Sequence, residues 1–230
     1  MTAREKWAEV RAMDVPVQLL LGPNTSDRFL MDPKRIGFYA LRYTFAAKML
    51  RNCTSILDIG CGDGLMTTTF LHDTKAQTVL GIDFDPELIA YANNVLLPAV
   101  HRARPNLSRD SLTFRCGDFL NEEVGEYDAV VSMDCIEHID PDQSHVFIER
   151  MHDALSYGGV AIIGTPNKYA EHLGSPHSRT GHINSMTPED LRTAMEKEFP
   201  RVFMLGLNDG TLNVGHEHLW HYVIGVAVAL

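Results

Sequence analysis

The chain has 230 residues, 45% of them hydrophobic and 22% charged, with a formal net charge of −10. This can bury one good core, so one domain with a small lid or insertion is expected. An acidic balance without a Lys/Arg cluster lacks the basic footprint of a non-specific nucleic-acid binder, and no apolar run reaches the roughly 18 residues of a membrane span. Met1 to Val10 carries Arg4, Glu5, Lys6 and Glu9 and lacks the apolar block of a signal peptide. Cys53, Cys61, Cys116 and Cys135 form no C-x-x-C pair. That argues against a zinc ribbon or disulfide framework and for reduced thiols in a cytoplasmic protein.

In chain order, Glu5 to Met13 has helical character, and Pro16, Gly22-Pro23 and Pro33 break the next stretch of chain. Ile36 to Leu50 carries apolar residues at three- and four-residue steps, which predicts a helix packed on a sheet. Its aromatic residues, with Phe38, Tyr39, Tyr43 and Phe45 among them, either cap a cleft or form the core face of that helix. From Ser55, strands and helices alternate. Strands are predicted at Ile56–Ile59, Thr78–Ile82, Leu112–Cys116, Tyr127–Met133 and Val160–Thr165, with closing strands at Arg201–Leu207 and His221–Ala229. Helices are predicted at Leu65–His72, Pro86–Leu97 (capped by Asp85), Gln143–Leu155 and Thr187–Lys197. The pattern is an α/β fold: a Rossmann-like, mostly parallel sheet of about seven strands, helices on both faces, ending in an antiparallel hairpin. Pro166 to Met186 is the one long irregular insertion, the signature of a lid or binding loop. The expected organisation is an N-terminal helical extension over residues 1–49 that covers a cofactor cleft, then a main domain over residues 50–230, with 166–186 as lid or substrate loop.

The centre of the sequence is Ser55 to Met66, where an apolar strand runs into Asp58, Gly60, Gly62, Asp63 and Gly64. A glycine loop between strand and helix lets a ligand approach bare backbone, with amide N–H groups facing it. A dinucleotide fingerprint is Gly-x-Gly-x-x-Gly; here the third glycine comes one residue early, which argues against a nicotinamide dehydrogenase. Asp83 ends the second predicted strand, where a carboxylate roughly 20 residues past the loop can hold ribose hydroxyls. Asp118-Phe119 follows the third and Met133-Asp134 closes the fourth. Each Asp alone reads equally as a strand-end cap, but four acids at four successive strand ends form a pattern.

From Asp58 through Pro166 the sequence resembles class I S-adenosylmethionine (SAM)-dependent methyltransferases. The resemblance implies a seven-strand sheet with a final antiparallel hairpin. It places Asp58, Gly60, Gly62 and Gly64 around the methionine part of SAM, with Asp63 reaching its amino group. Asp83 and Phe84 would lie at the ribose, Asp118 and Phe119 at adenine, and Met133 near the transferred methyl.

Asp134-x-x-Glu137-His138 follows the fourth strand. On one helical turn the three would share a face. The motif resembles the Glu-x-x-Glu-His of ubiquinone-pathway O-methyltransferases and small-RNA 2′-O-methyltransferases, with Asp134 in place of the first Glu. In the RNA family a downstream His completes a divalent-metal site, and His182 is the candidate for it. Three readings stay open: a metal held by Asp134, Glu137, His138 and His182; His138 as a general base without metal; and a structural hydrogen-bonded pair. A hydroxyl acceptor needs its proton removed, which a His near neutral pKa or a metal supplies. Gly215-His216-Glu217-His218 reads as a solvated turn, with a metal cluster as its alternative. The polar stretches Gly164–Asn167, Ser175–Arg179 (with His177) and Gly181–Asn184, together with Arg42-Tyr43 and Leu207-Asn208-Asp209, resemble bacterial small-molecule and sugar O-methyltransferases, with Arg179 as an anion contact.

The expectation is therefore a SAM-dependent methyltransferase, catalytic through His138, Glu137, Asp134 and His182, acting on a hydroxyl of a small molecule such as a sugar. Its partner would be a small-molecule substrate rather than nucleic acid or membrane, in a monomer or homodimer. A metal-dependent RNA 2′-O-methyltransferase and a non-catalytic SAM-binding module are the alternatives.

Overall fold

The computed structural model describes residues 1–13, 18–208 and 210–230. Pro16 and Asp209 lie outside the described residues, as does the side chain of His177. The strands are β1 (Ser55–Ile59), β2 (Thr78–Asp83), β3 (Leu112–Cys116), β4 (Tyr127–Met133), β5 (Leu155–Pro166), β6 (Val202–Asn208), β7 (Thr211–Asn213) and β8 (Tyr222–Val228). They form one sheet in the order β3-β2-β1-β4-β5-β8-β6-β7. The first five run parallel, and β8, β6 and β7 are antiparallel to their neighbours. The sheet has eight strands rather than seven, because the short β7 folds back along β6.

The parallel strands read as unbroken apolar runs because helices cover both of their faces. Strand alternation then assigns the sides. Leu57, Ile59, Val130 and Ile163 face α7 (Ser144–Asp153) and α9 (Pro188–Met195) in one buried cluster. Ile56, Val131 and Ile162 face α3 (Lys34–Met49) and α5 (Pro86–Tyr91) in the other. Asp58, next to Leu57 on β1, is thereby turned toward α3. Asp85 caps α5 as its spacing predicts, accepting from the Glu87 and Leu88 amides. That helix runs on through a π turn at Ala92–Leu96 into Leu97–Ala103, beyond the predicted end. A capping box of Thr187 and Asp190 starts α9.

Two expectations change. Gly22-Pro23 does not break the chain but starts α2 (Pro23–Met31), with Pro23 at the first helical position, where its missing N–H costs nothing. The stretch 166–186 is not irregular: it holds a 3-10 turn, Lys168–Leu173, and a short helix, Pro176–Gly181, capped by Asn167 and Ser175. Among the described residues no helix is long and apolar enough to cross a membrane.

Chain order reverses between β1, from which β2 and β3 lie to one side, and β4 on the other side. Open parallel sheets bind ligands outside the strand C-termini at such a switch point. The glycine loop leaves β1 there and Asp134 leaves β4 there.

Candidate active site

The loop after β1 is built for close approach. Gly60 and Gly64 take φ of +73° and +79°, and a Cβ on Gly60 would lie 2.8 Å from the Cys135 Cβ, so neither position accepts a larger residue without strain. The Gly62 N–H donates to Asp83 Oδ2 at 2.8 Å and the Asp85 N–H to Oδ1 at 2.9 Å. Asp83 thus ties the loop to the end of β2, and burial pushes its carboxyl up from the ordinary range. Gly60, Asp83, Phe84, Gly117, Asp118 and Phe119 line a cleft of about 330 Å³ that is open to solvent. Phe84 is 76% exposed over it. Phe119 is in the core instead, edge-on to Phe147 at 5.5 Å, and offers the cleft only a margin of its ring. The Asp118 carboxylate closes its own turn, accepting from Leu120 N–H at 3.0 Å and Asn121 Nδ2 at 2.6 Å.

Asp58 is fully buried beneath the loop. The Thr67 hydroxyl donates to Oδ2 at 2.6 Å and the Tyr43 phenol to Oδ1 at 3.3 Å. Burial, which outweighs those two hydrogen bonds, pushes Asp58 up to about 7. Burial also pushes Tyr43 well above its usual value, so its phenol stays a donor. Asp63 does not point at the cleft. Its two oxygens accept from the Thr25 N–H at 2.7 Å and the Thr25 hydroxyl at 2.8 Å, in the first turn of α2. Met133 is buried, its sulfur accepting from the Tyr222 hydroxyl at 3.7 Å.

Past β4 the chain departs from the expected helical turn. Asp134 takes φ +53°, and only Ile136–His138 forms a 3-10 turn. Asp134 therefore leaves the face of Glu137 and His138, and Arg42 Nη1 donates to both of its oxygens at 2.7 and 2.6 Å. Arg42 in turn lies 3.6 Å from the Tyr222 ring centroid and 5.1 Å from that of Tyr39. Of the aromatic residues of that helix, Tyr43 is core, while Tyr39 lies beside Arg42 and Arg28.

Glu137, His138 and His182 do converge, with one ligand-type atom from each within 4.8 Å of the others. Glu137 Oε2 accepts from the Thr165 hydroxyl at 3.0 Å, while Oε1 is buried without a hydrogen-bond partner. Burial, then the charge of Asp134, pushes Glu137 up to about 8. His138 Nδ1 lies 2.8 Å from the Gly181 carbonyl oxygen. A carbonyl only accepts, so Nδ1 carries the proton and Nε2 of the neutral ring is left as base or metal ligand. The His182 ring meets it edge-on at 5.2 Å, and burial and the neighbouring His138 hold His182 below its ordinary value, as neutral imidazole. The three donors fit a divalent cation: a carboxyl oxygen without a partner and two imidazoles. Asp134, bound to Arg42, is not among them.

Sequence reasoning counts Thr165 and Asn184 within polar stretches but gives neither a role at this group. Asn184 is buried; its N–H donates to the Glu137 carbonyl at 3.0 Å, and its Nδ2 donates to the Ile136 carbonyl at 3.1 Å and the Ser144 hydroxyl at 2.8 Å. Thr165 and Asn184 carry no motif, and only the tertiary fold brings them to the β4 exit. The predicted alternative cluster at Gly215-His216-Glu217-His218 is spent elsewhere: Glu217 pairs with Arg192 at 2.8 Å, and His218 stacks on Tyr169 at 4.4 Å.

Residues 31–198 match a family model described as a methyltransferase domain. The chain is 32% identical over 123 residues, half of its own length, to the mitochondrial ubiquinone biosynthesis O-methyltransferase of Dictyostelium discoideum. It is 28% identical over 131 residues, 55% of its length, to the small RNA 2′-O-methyltransferase of Arabidopsis thaliana. The chain spans 36% and 14% of those two proteins respectively. Among solved structures, its fold matches the plantazolicin methyltransferase BpumL in complex with SAH, at TM-score 0.66 and 18% identity, covering 90% of this chain and 89% of that one.

Proposed function

The chain belongs to the methyltransferase-domain family, and from that premise we propose that this SAM-dependent methyltransferase methylates a hydroxyl group on a small molecule. The observation that carries the reading is the His138 imidazole, fixed by the Gly181 carbonyl with Nε2 left free at the exit of β4. When bound, SAM supplies a methyl group already activated as a sulfonium. What this chain supplies is position and a place for a proton. Asp83 and the glycine loop would hold the nucleoside end in the cleft beside Phe84 and Asp118. Asp58 would support the methionine end by holding Tyr43 and Thr67. Residues 1–49 would cover that cleft, supported by the ties from Thr25 to Asp63 and from Arg42 to Asp134.

The acceptor would enter from a cavity of about 200 Å³, open to solvent and lined by Asn167, Glu171, Arg179, His182, Ser185 and His221 among others. This cavity supports the reading of 166–186 as the substrate loop, and its polar lining supports a hydroxylated ligand such as a sugar. His138 Nε2 would take the hydroxyl proton, and Asn184 would hold the turn that presents it.

A second reading rests on the unpartnered Glu137 Oε1. Glu137, His138 and His182 would hold a divalent cation, which would lower the pKa of the acceptor hydroxyl. This reading brings the ribose hydroxyl of RNA into range, although the net charge of −10 weighs against that acceptor.

The test is formation of SAH from SAM with a panel of hydroxylated acceptors. His138→Ala is expected to lower turnover by about 10²–10⁴-fold with unchanged SAH affinity. Undiminished turnover in that variant would discard the base. A chelator that abolishes wild-type turnover would select the metal reading.

A further inference from the structure

Arg28 takes no part in the proton transfer, yet it shares an aromatic ring with Arg42, whose partner Asp134 stands at the exit of β4. It leaves α2 with its guanidinium carbon 3.8 Å from the Tyr39 ring centroid, the same ring that Arg42 approaches at 5.1 Å. Two guanidiniums thus share one ring, and Asp134, the carboxylate at Arg42, is already taken by it through both oxygens. The other nearby acid, Asp63, has both oxygens on Thr25. Arg28 Nη1 is buried with no hydrogen-bond partner. Through Tyr39, and through Arg42 and its bond to Asp134, this pocket is joined to the exit of β4. A guanidinium does not give up its proton to escape such a site, and a buried donor without an acceptor is costly, so an anion that reaches Nη1 would complete it. The planar fork suits a carboxylate or phosphate in particular.

We propose that Arg28 receives an anionic group, a carboxylate or phosphate, carried by the acceptor close to the hydroxyl that is methylated. The inference rests on the O-methyltransferase reading and narrows it to hydroxylated acids or phosphate esters. It also gives α2 a selective role: acceptor charge is read by the N-terminal segment, and acceptor position by His138 and His182.

The test is binding, so it stands apart from turnover. Protein saturated with SAH is titrated calorimetrically with acetate and with inorganic phosphate, against chloride at matched ionic strength, for wild type, Arg28→Gln and Arg28→Lys. Wild type is expected to bind at least one of the two anions. Arg28→Gln should weaken that binding about tenfold or more, and Arg28→Lys should fall between, keeping the charge but not the fork. Equal SAH affinity in all three certifies their folding. If the glutamine variant does not fold, the lysine variant carries the comparison alone. A parallel titration uses 5′-methylthioadenosine, which lacks the amino-acid carboxylate of SAH. A variant that weakens SAH but not methylthioadenosine would assign Arg28 to the cofactor and overturn the proposal. So would equal anion binding by wild type and variants, or none by wild type. Failure of the acceptor panel with anion binding intact would count against O-methylation, not against Arg28.

Discussion

Glu137 shows how burial sets chemistry at one side chain. Its ordinary value is 4.5 and the folded protein holds it at about 8, chiefly by burial and then by the charge of Asp134. Between those values the native state binds the proton that the unfolded chain has released. The stabilisation is complete below 4.5 and is lost as pH rises through about 8. Asp58 acts in the same sense, between 3.8 and about 7. Stability in urea is therefore expected to fall as pH rises across this window. Glu137→Gln keeps an acceptor for Thr165, cannot ionise, and should flatten part of that fall. An unchanged slope in the variant would contradict the assignment. At this scale much is legible in the sequence. Asp58, Asp83, Glu137, His138 and His182 stand out by spacing, because strand ends and a downstream histidine leave marks in order. Arg28, Thr25, Thr67 and Asn184 leave none, since each is defined by a partner far away in sequence.

At the scale of elements, α2 carries the difference between expectation and structure. Gly22-Pro23 punctuates a chain in either of two ways, as a stop or as a helix start, and composition does not separate them. Asp63, 38 residues beyond Thr25, decides it by accepting from the Thr25 N–H in the first turn of the helix. Thr25→Val removes the hydroxyl from that buried carboxylate and should cost about 1–3 kcal/mol, felt locally. Hydrogen exchange is expected to quicken over Pro23–Met31 and to stay unchanged in β1 and β4. Uniform exchange would mean that α2 is held by packing alone. The helices within 166–186 escape sequence reasoning for a related reason. Segments of six residues are too short for a hydrophobic period to register, and their caps, Asn167 and Ser175, are common loop residues.

Across the whole molecule, two cores on opposite faces of one sheet hold the strand ends in register, and the site is a property of that register. The antiparallel half closes the first core through Trp220, 1% exposed, which lies against Gly206 on β6. A Cβ on Gly206 would come within 2.1 Å of the Trp220 ring. Gly206→Ala is thus expected to destabilise the protein by about 1–3 kcal/mol or more in denaturant melts, although it lies away from the candidate site. A neutral result would show that Trp220 can move aside. The sequence by itself determined the α/β class, nearly all the strands and the glycine loop at the switch point. Those follow from local periods and from a glycine loop whose spacing is contiguous. Only the tertiary structure decided that Asp134 belongs to Arg42 rather than to Glu137 and His138. It alone showed that Glu137 keeps an oxygen without a partner, and that Arg28 stands unmatched beside Tyr39. Each of those outcomes is a competition between charges for partners, and such a competition is settled by distance in space, which order along the chain does not encode.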